Sequence, residues 1–330
     1  MNLPIPVEIL ALPPLALAAG VDLYLTLLFI GAAPTTGLWA GPLPGALGDL
    51  DSPGVLIMVG SFYLLEFAAE RFPPAALAWN AFHAIIRPVS GALLALLLLD
   101  GQPLPLVVVG ALVGGALASI AHGIRSGAAV LRWLGAGARP STLLVSLAED
   151  ALVLGIVALT LDAPAWAAAV SLFGLLLVGR SAPSLVRAFA YAIQLAIGLL
   201  FRYIRWRGWH RAERLPPWVG TAFAHEDQFG SAGALRGTPV GAWKLPGAPR
   251  FAVGWVVARN GTPVFVHRRG GRGMRIDLGR LATTDISEQV LFRRVDLNAG
   301  GGGAFILFGP RGPGIESLRS EFASDEVPWR

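Results

Sequence analysis

The stretch LPLVVVGALVGGALASIAHGI, residues 104–124, contains no Asp, Glu, Lys or Arg. A helix needs about 20 largely apolar residues to cross a bilayer, and this stretch has that length and composition. Five further stretches are of similar character, at residues 9–32, 54–71, 84–99, 142–161 and 164–180. The sequence therefore predicts an α-helical integral membrane bundle of about six transmembrane helices.

Two parts of different composition follow one another along the chain. Of its 330 residues 54% are hydrophobic and 14% charged, against roughly 25% charged in an ordinary soluble domain. The first 201 residues hold seven of the 26 basic and ten of the 21 acidic residues, so the basic excess lies in the remainder. The sequence has no cysteine, which excludes disulfides, thiolate metal ligands and cysteine nucleophiles.

Arginine occurs in alternate connections between the predicted spans. Cytoplasmic connections are enriched in Lys and Arg, whereas three of the connections here carry acidic residues and no basic ones. The basic connections contain Arg71, then Arg132 and Arg139, then Arg180 and Arg187, and the acidic ones contain Asp49 and Asp51, Asp100, and Asp162. This alternation predicts a multi-pass protein of the inner (cytoplasmic) membrane of the cell with both termini in the cytoplasm.

Residues 184–209, SLVRAFAYAIQLAIGLLFRYIRWRGW, carry polar side chains at helical spacing. A polar stripe along one face is typical of a helix that lies in the membrane interface. A crossing helix would place the following arginines outside, against the charge rule. We therefore predict a transmembrane domain over residues 1–182 and a basic amphipathic interfacial helix and linker over 183–214. Anionic lipid headgroups are the expected partners of its basic residues, Arg202, Arg205, Arg207 and Arg211.

Beyond residue 214 the periodicity changes to short β-rich runs. FAVGWVVARNGTPVFVHR, residues 251–268, predicts a hairpin with Asn260-Gly261 in its turn. About six such runs, followed by a helix-like GIESLRSEF at 314–322, indicate a small antiparallel barrel or curled sheet. The sequence therefore predicts a cytoplasmic β-rich accessory domain over residues 215–330.

Ionisable residues recur inside the apolar stretches of both halves of the membrane part. A charge at the centre of a membrane helix costs about 2.5–3.5 kcal/mol on an insertion scale, so these residues need partners or protons. They are candidates for a polar seam or a transport pathway: Asp22, Glu66, Glu70, His83, Arg87, His122, Arg125, Glu149 and Asp150. The alternative is a structural role, as buried ion pairs, polar contacts between helices or snorkelling end residues.

Known site motifs are missing from the sequence. Two histidines with nearby carboxylates leave a divalent metal site open, although no H-E-x-x-H or similar spacing occurs. No nucleotide loop or serine-nucleophile elbow is present, so we predict no cofactor and no enzymatic activity. An intramembrane enzyme using His83 or His122 with a carboxylate is the remaining catalytic alternative.

Two segments can be aligned with each other, AAGVDLYLTLL at 18–28 and AHGIRSGAAVL at 121–131, with Gly20 opposite Gly123. Each precedes a span with acidic residues. Three spans per half would give an inverted 3+3 repeat, a frequent plan of secondary transporters with sites near the midplane. Chance likeness between Gly-rich apolar helices is the alternative explanation.

These two segments, with YLLEFAAERFPPAALAWNAFHAIIRPVSGALL (63–94) and SLAEDALVL (146–154), resemble a bacterial integral membrane family known as domain of unknown function 4126. The resemblance covers roughly residues 9–200. Its motifs fall on Gly20, Asp22 and Tyr24, on residues 65–67, on Ala121 and His122, and on residues 146–150. At Glu70-Arg71, relatives often have Asp-Lys, which keeps the pairing of charges. The resemblance implies a membrane fold and no established activity, and it does not include the tail beyond about residue 210.

Two functions are compatible with these patterns. The first is transport of a small solute, a cation or a proton through buried carboxylates between opposed helical repeats, using Asp22, Glu66, Glu149 and Asp150. The alternative is a non-transporting membrane scaffold or sensor whose cytoplasmic β domain binds a protein partner or anionic lipid. Nucleic acid is not an expected partner, because Lys244 is the only lysine and such an arginine bias reflects genome composition more often than a partner.

Overall fold

A computed structural model of the chain describes residues 6–135, 142–200, 208–223, 235–259, 262–289, 292–299 and 303–322. The chain divides into two compact units, Met1–Phe189 and Ala190–Arg330. The first, called here the helical unit, consists of apolar helices. The second, the β unit, contains an antiparallel sheet.

The helical unit contains α1 to α7 and the beginning of α8. Their bounds are α1 Val7–Val21, α2 Leu23–Thr35, α3 Pro53–Ala69, α4 Pro73–Leu98, α5 Leu104–Trp133, α6 Thr142–Asp162, α7 Pro164–Gly179 and α8 Ala182–Leu200, with a 3-10 turn at Leu47–Asp51 before α3. Helix α8 begins in the helical unit and ends in the β unit.

Length and apolar composition identify the helices that are able to cross a membrane. Among the described residues three qualify, at Ala75–Leu98, Leu104–Trp133 and Leu143–Asp162. The pair Pro164–Gly179 and Ala182–Gly198, bent by 76°, is a fourth candidate if it forms one broken span. Helices α1, α2 and α3 are apolar but shorter. The chain is therefore a membrane protein by composition, and the count of six spans stays a prediction.

Two helices differ from the predicted boundaries. The stretch 9–32 is not one helix, because Asp22 adopts an extended conformation (φ −140°, ψ 102°) that separates α1 from α2. The predicted span at 84–99 is the second part of α4, which begins at Pro73 and continues through Pro88. Polar residues such as Asn80 lower the hydropathy of its first turns, so the sequence pattern places the start of this helix too late.

Small residues allow α1, α4 and α5 to approach closely. A Cβ atom added to Gly91 of α4 would lie 2.6 Å from the carbonyl oxygen of Gly114 in α5. A Cβ added to Gly20 of α1 would lie 2.5 Å from the carbonyl oxygen of Ala118. Backbone contact through small residues is a main source of helix association in lipid. These glycines therefore set the spacing of the three helices.

The β unit is an antiparallel sheet with two short helices. The strands are β1 His210–Arg211, β2 Arg236–Trp243, β3 Phe251–Arg259, β4 Thr262–Arg269, β5 Arg272–Asp277, β6 Ala282–Glu288, β7 Arg293–Asn298 and β8 Ala304–Phe308, and the helices are α9 Pro217–Gly220 and α10 Ile315–Phe322. The strand order is β5-β4-β3-β2-β8-β7-β6, with β1 paired to β2. A pairing of Arg259 with Thr262 confirms the predicted hairpin, although its turn residues Asn260 and Gly261 lie outside the described residues.

Residues 278–281 join β5 to β6, the two strands at opposite ends of this order. Such a connection reaches about 18 Å at most, so the sheet has to curl until its two edge strands are close. Inside it, Val240, Phe265 and Val295 form a core with Leu318 and Phe322 of α10. The strand connections therefore require a curled sheet, in agreement with the predicted antiparallel barrel or curled sheet.

The predicted linker between the units contains regular structure. Arg211 lies in β1, opposite Arg236 of β2, and its side chain is exposed. Arg202, Arg205 and Arg207 lie outside the described residues, so contact with lipid headgroups stays a prediction for all four arginines.

His267 makes the stability of the β unit dependent on pH. Its side chain in β4 is only 3% exposed, and burial lowers its pKa. The folded protein therefore holds neutral His267, whereas the unfolded chain takes up a proton below about pH 6.5. The stabilisation by neutral His267 is complete above that pH and is lost as the pH falls below it.

We expect amide exchange in β3 and β4, corrected for the intrinsic rate, to accelerate as the pH falls from 7.5 to 5, by at most about thirtyfold, because pH 5 lies about 1.5 pH units below the ordinary histidine pKa of about 6.5. In His267→Gln, whose new side chain cannot titrate, this acceleration should be clearly smaller; part of it remains because burial also lowers the pKa of His210, whose ring contacts Trp255 of β3. An equal acceleration in the variant would contradict the assignment to His267.

Candidate functional site

Asp22 ends one helix and begins the next inside the helical unit. Its backbone N–H donates to the Ala18 carbonyl oxygen of α1 at 2.8 Å. Its Oδ1 accepts a hydrogen bond from the Leu25 backbone N–H at 2.9 Å, which caps the N-terminus of α2. The residue is almost fully buried. Its carboxylate therefore has a structural partner in the backbone, and the break exposes the last carbonyl groups of α1.

The guanidinium group of Arg87 occupies this break. Its Nη1 donates to the carbonyl oxygen of Gly20 at 2.6 Å and also to that of Val21. Its Nη2 donates to Oε1 of Glu66 at 2.5 Å. A cation is stabilised at the C-terminal end of a helix, where unpaired carbonyl oxygens concentrate negative partial charge. Arg87 thus connects α4 to the end of α1 and to α3.

Arg125 of α5 binds three carboxylates. Its Nε donates to Oε2 of Glu149 at 2.8 Å, its Nη2 lies 2.6 Å from Oε1 of Glu70, and its Nη1 donates to Oε1 of Glu66 at 3.2 Å. The five residues Glu66, Glu70, Arg87, Arg125 and Glu149 are called here the carboxylate–arginine network. It joins α3, α4, α5 and α6 and contains three acidic and two basic groups.

The two carboxylate oxygens of Glu66 have different surroundings. Its Oε1 accepts hydrogen bonds from both Arg87 and Arg125. Its Oε2 has no hydrogen-bond partner among the described residues, although the side chain is only 2% exposed. A buried acceptor without a partner is costly. A proton, a cation or a water molecule on Oε2 would remove that cost.

Both buried histidines of the helical unit have polar partners. Nδ1 of His83 lies 2.9 Å from the Trp79 carbonyl oxygen, which can only accept, so Nδ1 carries the proton. Its Nε2 then accepts from the Tyr24 hydroxyl at 2.8 Å. Nε2 of His122 likewise donates to the Asn80 carbonyl oxygen at 3.0 Å. Neutral, hydrogen-bonded rings fit a structural role for both.

Metal binding finds no support in the described part of the chain, where no group of three or more His, Cys, Asp or Glu side chains is arranged to hold an ion.

Asp150 lies outside the carboxylate–arginine network. Its Oδ2 accepts a hydrogen bond from the Tyr63 hydroxyl of α3 at 2.9 Å. Its neighbour Glu149 binds Arg125 instead, because consecutive side chains of a helix point in directions about 100° apart. The four carboxylates considered for transport are therefore divided: Glu66 and Glu149 share Arg125, whereas Asp22 and Asp150 have partners of their own.

A polar cleft of about 60 Å³ adjoins the carboxylate–arginine network. Its lining includes Asn80, Arg132, Ser146 and Glu149. One water molecule needs about 10–15 Å³ of such volume, so the cleft has room for about four. Arg132 at its rim lies 3.7 Å from Oε1 of Glu149.

Uncharged partners of this site cannot be recognised from hydropathy. Asn80 and Ser126 hydrogen-bond to each other at 3.0 Å and adjoin His122. A search for charged residues also does not find Tyr63, which binds Asp150, or the carbonyl groups of Gly20 and Val21, which bind Arg87. The one available signal is spacing, since Ser126 follows His122 by one helical turn.

Comparison with known proteins assigns the helical unit to a family. No curated protein matches the chain. The family model described as "Domain of unknown function (DUF4126)" matches residues 9–184, which is more than half of the chain and includes the whole carboxylate–arginine network. The chain therefore belongs to this family, whose function is uncharacterised.

Proposed function

We propose that the helical unit moves protons or small cations across a membrane and that Glu66 is the site where they bind. The observation that carries this proposal is the state of Glu66: two guanidinium groups share Oε1, while Oε2 is buried without a partner among the described residues. The cost of burying an unpaired oxygen would be removed by a bound proton or cation.

The balance of charge around Glu66 favours a cation over an anion, because five acidic groups stand against three basic ones when Arg132, 3.7 Å from Glu149, is counted. The carboxylate–arginine network has three carboxylates and two guanidinium groups, and Asp22 and Asp150 add further acidic groups nearby in the bundle. Ionisable groups at membrane depth are expensive and mark ion or proton pathways. A net negative interior is stabilised when a proton or a small cation binds.

The interruption between α1 and α2 also supports transport. Discontinuous helices, whose ends face the bound ion or substrate, form the binding sites of many secondary transporters. The predicted inverted repeat belongs to the same proposal, because Glu66 and Glu149 follow the two aligned segments and both bind Arg125. The two aligned segments differ in one respect. Helix α5 is continuous through Gly123, the residue aligned with Gly20, so the second segment has no break like the one at Asp22. Six spans, an inner-membrane location and cytoplasmic termini complete the proposal.

The test is ion flux in liposomes that contain the purified full-length protein. We expect proton, ²²Na⁺ or ⁸⁶Rb⁺ uptake above that of protein-free liposomes. Glu66→Gln should lower it by roughly tenfold or more, because the amide cannot take up a proton or balance a cation. Asp162→Asn, at the exposed end of α6, is the matched control and should keep the flux. Absence of uptake for all three ions in folded protein would contradict the proposal.

The second candidate is a non-transporting scaffold or sensor. The observation that favours it is the direct partnering of Asp22 and Asp150 by a backbone amide and a tyrosine, as expected of groups that only hold the bundle together. In that case the β unit binds a protein partner or anionic headgroups near residues 202–214. Deletion of residues 210–330 would then abolish binding to vesicles with anionic lipid or to the partner, without any ion flux in the intact protein.

A further inference from the structure

The polar cleft lies where four helix ends meet. Glu70 follows the end of α3, Asn80 is in the first turns of α4, Arg132 is in the last turn of α5, and Ser146 and Glu149 are in the first turns of α6. The opposite end of the helical unit contains the end of α4, where the Ala46 N–H donates to the Leu97 carbonyl oxygen at 2.7 Å. The cleft therefore belongs to one end of the helical unit.

A chain of charged contacts leads from the cleft to Glu66. Arg132 contacts Glu149, Glu149 contacts Arg125, and Arg125 contacts Glu66. The side-chain exposure falls along this chain from 31% to 21%, 8% and 2%. Each step moves away from solvent, so the contacts form a graded series that leads from the partly exposed Arg132 to Oε1 of the buried Glu66.

Aromatic rings lie on the side of Glu66 that faces away from the cleft. Phe62 precedes Glu66 by one turn of α3, and its ring stacks on that of Tyr24 with centroids 5.3 Å apart. The Tyr24 hydroxyl is bound to His83, whose ring meets that of Tyr24 edge-on. These contacting rings fill the space next to Glu66 on the side toward the opposite end of the bundle.

We infer that the cleft is the aqueous entrance to Glu66, that access to Glu66 is from this end of the bundle, and that the cleft admits protons or small monovalent cations but not organic solutes. This inference rests on the proposed function. The size limit is argued from the small volume of the cleft, about 60 Å³, which has room for a few water molecules.

Single-cysteine variants test the access directly, because the natural sequence has no cysteine. Ser146→Cys and Val145→Cys place a thiol in the cleft wall. Thr36→Cys is exposed at the end of α2, at the opposite end of the bundle, and Leu152→Cys lies on a 62% exposed apolar position of α6. A membrane-impermeant methanethiosulfonate is added to either side of sealed vesicles of one orientation that contain the full-length protein.

We expect both cleft thiols to react from one side only and Thr36→Cys to react from the other side, whereas Leu152→Cys reacts from neither. Modification at residue 146 should also slow the ion flux. Reaction of the cleft thiols from both sides, from the Thr36 side or not at all would overturn the inference. Uptake of choline by the unmodified protein would overturn the size limit.

The two proposals can fail separately. Reaction of the cleft thiols from the expected side without flux of any ion contradicts transport and leaves the aqueous cleft in place. Flux that depends on Glu66, with cleft thiols that react from the wrong side, contradicts the entrance and leaves transport in place.

Discussion

Replacement of Arg87 by methionine is expected to lower the free energy of unfolding by about 3–5 kcal/mol, the usual cost of breaking a buried ion pair from one side. Arg87 is fully buried and binds Glu66 together with the carbonyl oxygens of Gly20 and Val21. Methionine fills a similar volume but donates no hydrogen bond. The variant therefore leaves a buried carboxylate with fewer partners and unpaired carbonyl groups at the break.

Unfolding in mixed micelles, as dodecyl sulfate is added to a mild detergent, measures this loss. Arg87→Lys keeps the charge but cannot bind two groups with a planar fork. Its free energy of unfolding should therefore lie between those of Arg87→Met and the natural protein. The double variant Arg87→Met/Glu66→Leu should regain a large part of the stability, because it removes the unpaired charge. If the double variant lost as much stability as Arg87→Met and Glu66→Leu lose together, Glu66 and Arg87 would not be coupled.

Gly114→Leu should destabilise the bundle by about 3 kcal/mol or more, at the upper end of overpacking costs. A Cβ atom at Gly114 would lie 2.5 Å from the carbonyl oxygen of Gly91. Backbone atoms cannot move aside as a flexible side chain does, so α4 and α5 would have to separate. The same unfolding titration measures the effect.

Gly155→Leu in α6 is the matched control for this change. A Cβ atom added at Gly155 would have no atom within 4 Å apart from its chain neighbours and the adjacent backbone of α6. Leucine also has a better helix propensity than glycine. We expect no loss of stability there. If Gly114→Leu were tolerated as well as Gly155→Leu, the close contact of α4 with α5 would not be a source of stability.

The sequence predicts the members of the carboxylate–arginine network but not which of them pair. All five members were recognisable as ionisable residues in apolar stretches. Their partners were not, because Glu66 and Arg87 are 21 residues apart and Arg125 and Glu66 are 59 apart. Which side chains meet at such separations depends on the rotation of each helix, and hydropathy contains no information on rotation.

Asp22 illustrates the same limit for the backbone. Hydropathy continues unchanged from α1 to α2, so a single span was the natural prediction for residues 9–32. The helix breaks because Asp22 caps α2 while Arg87, 65 positions later in the sequence, binds the carbonyl groups that the break exposes. A local pattern cannot reveal a break whose cost is offset by a distant side chain.

The sequence by itself determined that this chain combines apolar membrane-type helices with an antiparallel β unit, because burial in lipid and alternation in strands are properties of consecutive residues. It also determined which ionisable groups are costly enough to need partners. Only the tertiary structure decided that Arg125 collects three carboxylates while Asp22 and Asp150 stand apart. The physical reason is that ion pairing acts over a few ångströms, and such distances are set by helix packing rather than by position along the chain.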